Sequence, residues 1–164
     1  MKKYIFSAVV CIAFAFTAGA QEISKNAIGL RIGDSDGFGT EVNYQRGLGD
    51  NNRLELGLGW RDGNRFNAYR LTGIYQWVWN IDGGFNWYAG VGAAAGSFNF
   101  DDDLFDDDDD RDEFFLNAAG NIGIEYNFDI PLILSFDFRP EIGLINDFDD
   151  DLEFDIALGI RYQF

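Results

Sequence analysis

The sequence contains no histidine and a single cysteine, Cys11. Histidine is the commonest general base and metal ligand, so two large classes of active site lose their usual residue. One cysteine excludes an internal disulfide framework and a thiolate metal site. Lysine is also scarce, because none follows Lys25. The chain must therefore work with carboxylates, arginines, glycines and aromatic residues.

The first twenty residues have the three-part pattern of a secretory signal peptide. Two lysines precede an apolar run over residues 4–16, and small residues occupy 18–20. The run is shorter than the ~20 apolar residues that a membrane-spanning helix needs. We expect residues 1–20 to be a signal peptide that is cleaved. Residues 21–164 then form one domain, and the loss of two lysines takes the net charge from −16 to −18.

The negative charge is concentrated in one block. Ten of the 28 acidic residues fall between Asp101 and Glu113, where Arg111 is the only cation. Such a block repels itself and stays in water, which predicts an acidic loop over about residues 100–113. A surface this acidic also excludes nucleic acid as a partner.

After residue 21 the sequence contains eight segments that alternate between apolar and polar residues. This period of two is the pattern of half-buried strands, and it is cleanest in residues 152–164. The fourth segment is less regular, since Ile74 and Val78 stand where polar residues are expected. Eight strands joined by short turns predict an all-β fold, an eight-stranded antiparallel up-and-down barrel, because closure removes both sheet edges.

The alternation leaves open which face of the barrel points outward. A soluble lipocalin-like barrel places its apolar face inside, and a transmembrane barrel places it outside. The polar face carries arginine but no lysine, has nearly balanced charge, and shares its positions with glycines that leave room for long side chains. Arginine suits enclosed pairing with carboxylates. We therefore predict a transmembrane barrel whose lumen holds a charge network of Arg31, Glu41, Arg53, Glu55, Arg70, Glu125, Asp137, Arg139, Glu141, Glu153, Asp155 and Arg161.

Aromatic residues and connection lengths predict the orientation. Eight aromatics fall at the strand ends of one rim, and Phe38, Trp60 and Phe154 lie nearer the other, as in the two girdles of a membrane barrel. Connections after strands 2, 4 and 6 are compact, whereas those after strands 5 and 7 are long and acidic. Short turns are periplasmic in outer-membrane barrels, so we expect both termini in the periplasm and the acidic loops outside the cell.

With these features, the mature chain resembles the small eight-stranded outer-membrane barrels of the OmpA/OmpX type over nearly its whole length. Its last residues, Leu158, Ile160, Tyr162 and Phe164, look like the C-terminal insertion signal of such barrels. The resemblance implies integral localisation in the outer membrane of a Gram-negative cell envelope. It also implies that outer-membrane lipid, lipopolysaccharide and the barrel assembly machinery are partners.

The leading functional hypothesis is a non-enzymatic barrel with a structural, adhesive or surface-interaction role exerted through its acidic external loops. An eight-stranded barrel is just wide enough for side chains to fill, so arginine–carboxylate pairs should plug the lumen. The alternative is a narrow porin-like channel. We predict no catalytic or cofactor-binding residue, since no histidine is present and no base stands beside a serine.

The acidic block also raises the question of divalent cations. It lacks the glycine and the glutamate spacing of an EF-hand loop, so a solvated, repulsive loop is the main interpretation. Loose capture of calcium or magnesium stays open, with Asp106, Asp108 and Asp110 as weak candidate ligands. Apolar residues flank the acids, which makes an extracellular protein partner a further candidate.

Overall fold

The computed structural model describes residues 23–33, 39–63, 66–100, 112–145 and 153–164, and these form eight β-strands. In chain order they are β1 (Asn26–Gly33), β2 (Thr40–Gly47), β3 (Asn52–Gly63), β4 (Phe66–Asp82), β5 (Phe85–Phe100), β6 (Asp112–Asn127), β7 (Leu132–Ile145) and β8 (Glu153–Gln163). Within the described ranges, no helix has the length and hydropathy needed to cross a membrane.

Every strand pairs antiparallel with the next along the chain, and β8 pairs back with β1 to close the barrel. The closing seam runs from Ala27 opposite Gln163 to Gly33 opposite Ala157. Closure gives every strand two neighbours, so none presents an unpaired edge. The predicted eight-stranded up-and-down barrel is confirmed.

The two ends of the barrel differ in their connections. Three short turns, residues 48–51, 83–84 and 128–131, lie at one end together with residues 23–25 and Phe164, and we term this the turn end. The opposite end, which we term the loop end, contains four pairs of strand ends: Gly33 and Thr40, Gly63 and Phe66, Phe100 and Asp112, and Ile145 and Glu153. The two-residue turn after β4 places Gly83 at a φ of 51°, which glycine adopts without strain.

The strands differ in length around the barrel. β1 and β2 have 8 residues each, whereas β4 has 17 and β5 and β6 have 16. β5 runs through Phe100 and β6 begins at Asp112, with Asn99 opposite Asp112. The ladder therefore extends into the segment predicted as loop over about 100–113, because pairing with a neighbouring strand outweighs the acidity of Asp112 and Glu113.

The barrel is apolar outside and polar inside. Along β8, Leu158 is 64% exposed whereas Arg161 is 1% exposed. Ile74 and Val78, the two irregular positions of β4, are 0% and 4% exposed and point inward. Inward and outward positions therefore still alternate along β4. The exception is that two inward positions hold apolar instead of polar residues.

Candidate functional site

Among the side chains that the structure describes, eleven charged ones are buried in the barrel interior, five arginines and six carboxylates. They are Arg31, Glu41, Arg53, Glu55, Arg70, Glu125, Asp137, Arg139, Glu141, Asp155 and Arg161, and we term them the lumen network. Glu153, the twelfth residue of the predicted set, is exposed at the first position of β8. It faces the same side of the strand as Asp155 but lies at the loop end, where that side opens to solvent.

Arg31 pairs with carboxylates from three strands. Its Nη2 and Nε donate to Asp137 Oδ1 at 2.7 and 3.0 Å, and its Nη1 donates to Asp155 Oδ2. Glu41 Oε2 lies 3.9 Å from Arg31 Nη1. The Arg31 guanidinium therefore links β1 to β7 and β8 by hydrogen-bonded ion pairs, and it contacts Glu41 of β2 at a longer distance.

Arg139 continues the network toward the turn end. Its Nη1 donates to Glu41 at 3.0 and 3.2 Å, and its Nη2 donates to Glu55 Oε1 at 3.0 Å. The other oxygen of Glu55 accepts a bond from Arg161 Nη2 at 3.1 Å. Four charged groups from β2, β3, β7 and β8 thus form one continuous chain of ion pairs across the lumen.

Two further ion pairs lie outside that chain. Arg53 Nη1 is 2.8 Å from Glu125 Oε2, and Arg70 Nη2 donates to Glu141. Each joins strands that are not neighbours, β3 with β6 and β4 with β7, whereas the Arg31–Asp155 pair joins the adjacent strands β1 and β8.

Neutral side chains connect the ion pairs to one another. Arg53 Nε donates to Gln76 Oε1 at 2.6 Å, and Gln76 Nε2 donates to Asn121 Oδ1 at 2.8 Å. Asn121 in turn donates to Asp137 at 3.3 Å. An unbroken path of hydrogen bonds therefore runs from Arg53 to the Asp137 that Arg31 holds.

Tyr88 is the largest uncharged polar residue inside the barrel, and it is fully buried. The guanidinium of Arg53 lies over its ring at 4.8 Å from the centroid, a cation–π contact. Its hydroxyl donates to Asp137 Oδ2 at 3.4 Å. A Cβ on Gly123 would lie 2.6 Å from the Tyr88 hydroxyl, so the ring fits only because position 123 is glycine.

Sequence reasoning found the charged residues but not the neutral ones that link them. Alternation placed Gln76, Tyr88 and Asn121 on the inward face, yet nothing in the pattern indicated that they bridge ion pairs. Their position between an arginine and a carboxylate depends on strand register across the barrel, which a single sequence does not contain.

The arrangement crosslinks opposite walls of the barrel through arginine–carboxylate pairs. In a buried ion pair each charge compensates the other. Removal of one partner is destabilising because it leaves the other charge buried and uncompensated. Ser135 Oγ accepts a bond from Arg161 Nη1 at 2.6 Å, and Ser24 donates to Gln163. Both serines are therefore engaged in structural bonds.

The weak candidate metal ligands Asp106, Asp108 and Asp110 lie outside the described residues. Within the part of the chain that the structure describes, no group of three or more potential metal-ligating side chains comes together.

Aromatic residues surround the turn end, where the apolar outer face meets the turns. Trp79 stacks on Trp87 with centroids 4.3 Å apart, and Tyr126 contacts Phe85 and Phe128 edge-on at 4.5 and 4.7 Å. The residues of the predicted insertion signal lie on the same outer surface, and all four are exposed: Leu158, Ile160, Tyr162 and Phe164. At the loop end Trp60 and Phe154 are exposed, and Phe38 lies outside the described residues.

The sequence matches no protein-family model and no curated protein, but the fold matches solved structures. The N-terminal β-barrel domain of Pseudomonas aeruginosa OprF aligns with a TM-score of 0.64 at 16% identity, covering 87% of this chain and 100% of that one. Neisserial surface protein A (NspA) gives 0.60 at 14% identity, covering 85% and 94%. Ail, the attachment invasion locus protein of Yersinia pestis, gives 0.57 at 16% identity, covering 86% and 97%. The chain thus has the fold of the eight-stranded, OmpA/OmpX-like outer-membrane barrels.

Proposed function

We propose that the protein is a non-enzymatic, integral outer-membrane barrel that acts through its acidic external loops while its lumen is plugged. The observation that carries this proposal is the distribution of polarity, with apolar side chains exposed outside and eleven charged side chains buried inside. Among the described residues, every strand except β2 exposes large apolar side chains, a surface that is unfavourable in water and favourable in hydrocarbon.

The position in the membrane follows from the two ends. Outer-membrane barrels keep short turns in the periplasm and longer loops outside, so the turn end is periplasmic and the loop end is external. The aromatic cluster at the turn end then lies at a lipid–water interface, where such rings are favoured. Export requires residues 1–20 to act as a cleaved signal peptide, which leaves both termini in the periplasm.

Insertion is proposed to depend on the last strand. Leu158, Ile160, Tyr162 and Phe164 form an exposed apolar row on β8, the strand that pairs with β1 to close the barrel. We propose that the barrel assembly machinery recognises this row before closure. Outer-membrane lipid then covers this apolar row in the finished barrel. Pairing with β1 is needed because the backbone groups of β8 cannot stay unpaired in hydrocarbon.

The acidic loop between β5 and β6 defines the kind of external partner. Ail has been crystallised in complex with the heparin analogue sucrose octasulfate, a polyanion, whereas this chain has a net charge of −16. Charge complementarity here favours a basic protein surface, or lipopolysaccharide phosphates bridged by calcium or magnesium held loosely at the loop.

Removal of the loop tests this role. Because Asp112 and Glu113 belong to β6, the excision should span residues 101–111 and rejoin the strands with a short turn. We expect the shortened barrel to fold and insert normally but to lose capture of a basic surface partner in pull-downs from intact cells. Equal capture by both forms would show that the loop is not the interaction site.

The narrow channel remains the alternative, and one observation favours it. Several buried polar atoms have no hydrogen-bond partner among the described residues, including Asn43 Nδ2, Thr72 Oγ1 and Arg139 Nε. Polar groups of this kind commonly bind internal water, and a hydrated lumen is the first requirement of a conducting one.

Bilayer conductance distinguishes a plugged lumen from a channel. The purified barrel, first shown to be folded by its faster gel mobility before boiling, should give no stable open level in a planar bilayer. Unitary currents that change with Glu55→Gln in the lumen, but not with Asp50→Asn in a turn, would establish the channel instead.

A further inference from the structure

The exposed positive charge of the described chain is confined to one place. Of the cations whose side chains the structure describes, five arginines are buried in the lumen network and two residues, Lys25 and Arg46, are exposed. Both lie at the turn end, because Lys25 immediately precedes β1 and Arg46 is the second-last residue of β2. Arg46 is directly opposite Asn26, and the Lys25 carbonyl accepts a bond from Gly47 N at 3.0 Å.

Arg46 is held in place by a neutral neighbour. Its Nη1 donates to Asn26 Oδ1 at 2.7 Å, and the Tyr44 hydroxyl donates to the same oxygen at 2.7 Å. A guanidinium has five N–H donors, so this bond orients the group and occupies only one of them. All ion pairs among the described residues lie in the lumen, and Lys25 and Arg46 take part in none.

An open cavity of about 590 Å³ adjoins Lys25, and Arg46 lies outside its lining, on the other side of Asn26. Lys25 lies on its wall beside Ser24 and Gln163, which supply polar atoms. Much of the remaining wall is apolar and includes Phe128 and Phe164. A cavity with a cation, hydroxyl and amide groups and an apolar rim has the chemical character of a lipid headgroup region.

We propose that Lys25 and Arg46 bind the phosphate of an anionic phospholipid in the leaflet at the turn end. This inference rests on the proposed function, since it requires the barrel to be in a membrane with its aromatic rim at the interface. The site lies where the apolar outer face ends. Ile28 is the first exposed apolar residue along β1, and Tyr44 lies two positions from Arg46 on β2. An acyl chain can therefore lie along the barrel while the phosphate contacts the cations.

One carboxylate limits where the phosphate can lie. Asp129 lines the same cavity as Lys25, and it repels an anion placed deep inside. The phosphate therefore lies outside the cavity, on the side of Lys25 nearer to Arg46, where a bilayer lipid can reach it. Asp129→Asn should increase anionic lipid binding.

Native mass spectrometry of the detergent-solubilised full chain tests the site. With equal amounts of phosphatidylglycerol and phosphatidylethanolamine added, the wild type should bind the anionic lipid preferentially. A basic residue near an anionic lipid surface contributes about fivefold in affinity. The double variant Lys25→Gln, Arg46→Gln should therefore reduce that preference by about 25-fold, while Asp50→Asn at a neighbouring turn should change it less than about twofold.

The controls separate the site from the proposed function. Glycerol phosphate, which carries the headgroup charge without acyl chains, should not displace the lipid, and displacement would refute a lipid site. A normal gel shift with no preference for the anionic lipid, or with a preference that the double variant retains, refutes this site alone. Loss of the gel shift in the wild type would refute the membrane barrel itself, and the lipid site with it.

Discussion

The two halves of the lumen wall are built from different residues. Of the eleven buried charges in the described part of the barrel, nine lie on the wall formed by β1, β2, β3, β7 and β8, and two, Arg70 and Glu125, lie on the wall formed by β4, β5 and β6. β5 is the extreme case, because residues 89–97 are small on both faces apart from Val91. We refer to these as the charged wall and the small wall.

The difference shows how a narrow barrel accommodates long side chains. Eight strands enclose only enough space for side chains to fill it, so arginines from one wall need room on the other. Ile74 packs directly against Gly90, since a Cβ at position 90 would lie 2.8 Å from Ile74 Cγ2. Within the small wall, the volume left open at Gly90 is thus filled by Ile74 of the neighbouring strand. From the charged wall, the guanidinium of Arg53 reaches across to the Tyr88 ring on β5.

The largest effect is expected from the charged wall. Arg139→Met removes the cation that pairs Glu41 and Glu55, and loss of one partner of a buried ion pair costs about 3–5 kcal/mol. We expect the free energy of unfolding in urea, followed by tryptophan fluorescence in detergent micelles, to fall by that amount. Arg46→Met, at an exposed arginine, should change it by less than about 0.5 kcal/mol.

A second substitution sharpens the result for Arg139. Adding Glu41→Gln to Arg139→Met removes one uncompensated carboxylate and should restore part of the lost stability. If Arg139→Met and Arg46→Met lowered the free energy of unfolding equally, the lumen network would not be a stabilising element.

A smaller effect is expected from overfilling the small wall. In Gly123→Ala the new methyl group would lie 2.6 Å from Tyr88 and 2.8 Å from Asp137 Cβ. Overpacking of a filled interior costs about 1–3 kcal/mol, so the urea midpoint should fall, though less than for Arg139→Met. Gly73→Ala is the matched control, because its methyl group would meet only Leu56, at 3.8 Å. Equal effects at positions 73 and 123 would mean that Tyr88 is not tightly packed.

Alternation was sufficient to predict the strands, the residues that share each face and the closed architecture, whereas the outward face was predicted from the arginines, charge balance and glycines of the polar face. Period two is a local property, so each run could be found without knowledge of its neighbours. The two apolar residues inside β4, Ile74 and Val78, resembled errors in that pattern. In the structure both side chains point into the lumen, where they fill space with apolar atoms instead of adding charge.

The pairing within the site could not be predicted in the same way. Arg31 and Asp137 are 106 residues apart, and Arg139 and Glu41 are 98 apart. Which partners meet depends on the stagger between strands and on side-chain reach, and these are properties of the closed barrel. The same limit explains the error at Glu153. Alternation correctly placed Glu153 on the same face as Asp155, but it did not predict that Glu153 lies at the exposed loop end of β8.

The distances in sequence between ion-pair partners have a consequence for assembly. Between residues that the structure describes, each ion pair except the 3.9 Å contact of Arg31 with Glu41 joins one of the first four strands to one of the last three. The first four strands bury three cations and two anions, and the last three bury two cations and four anions. Each half is thus left with charge of one sign that only the other half can neutralise. A partly built sheet gains almost none of this stabilisation, so the electrostatics favour the completed ring over every intermediate.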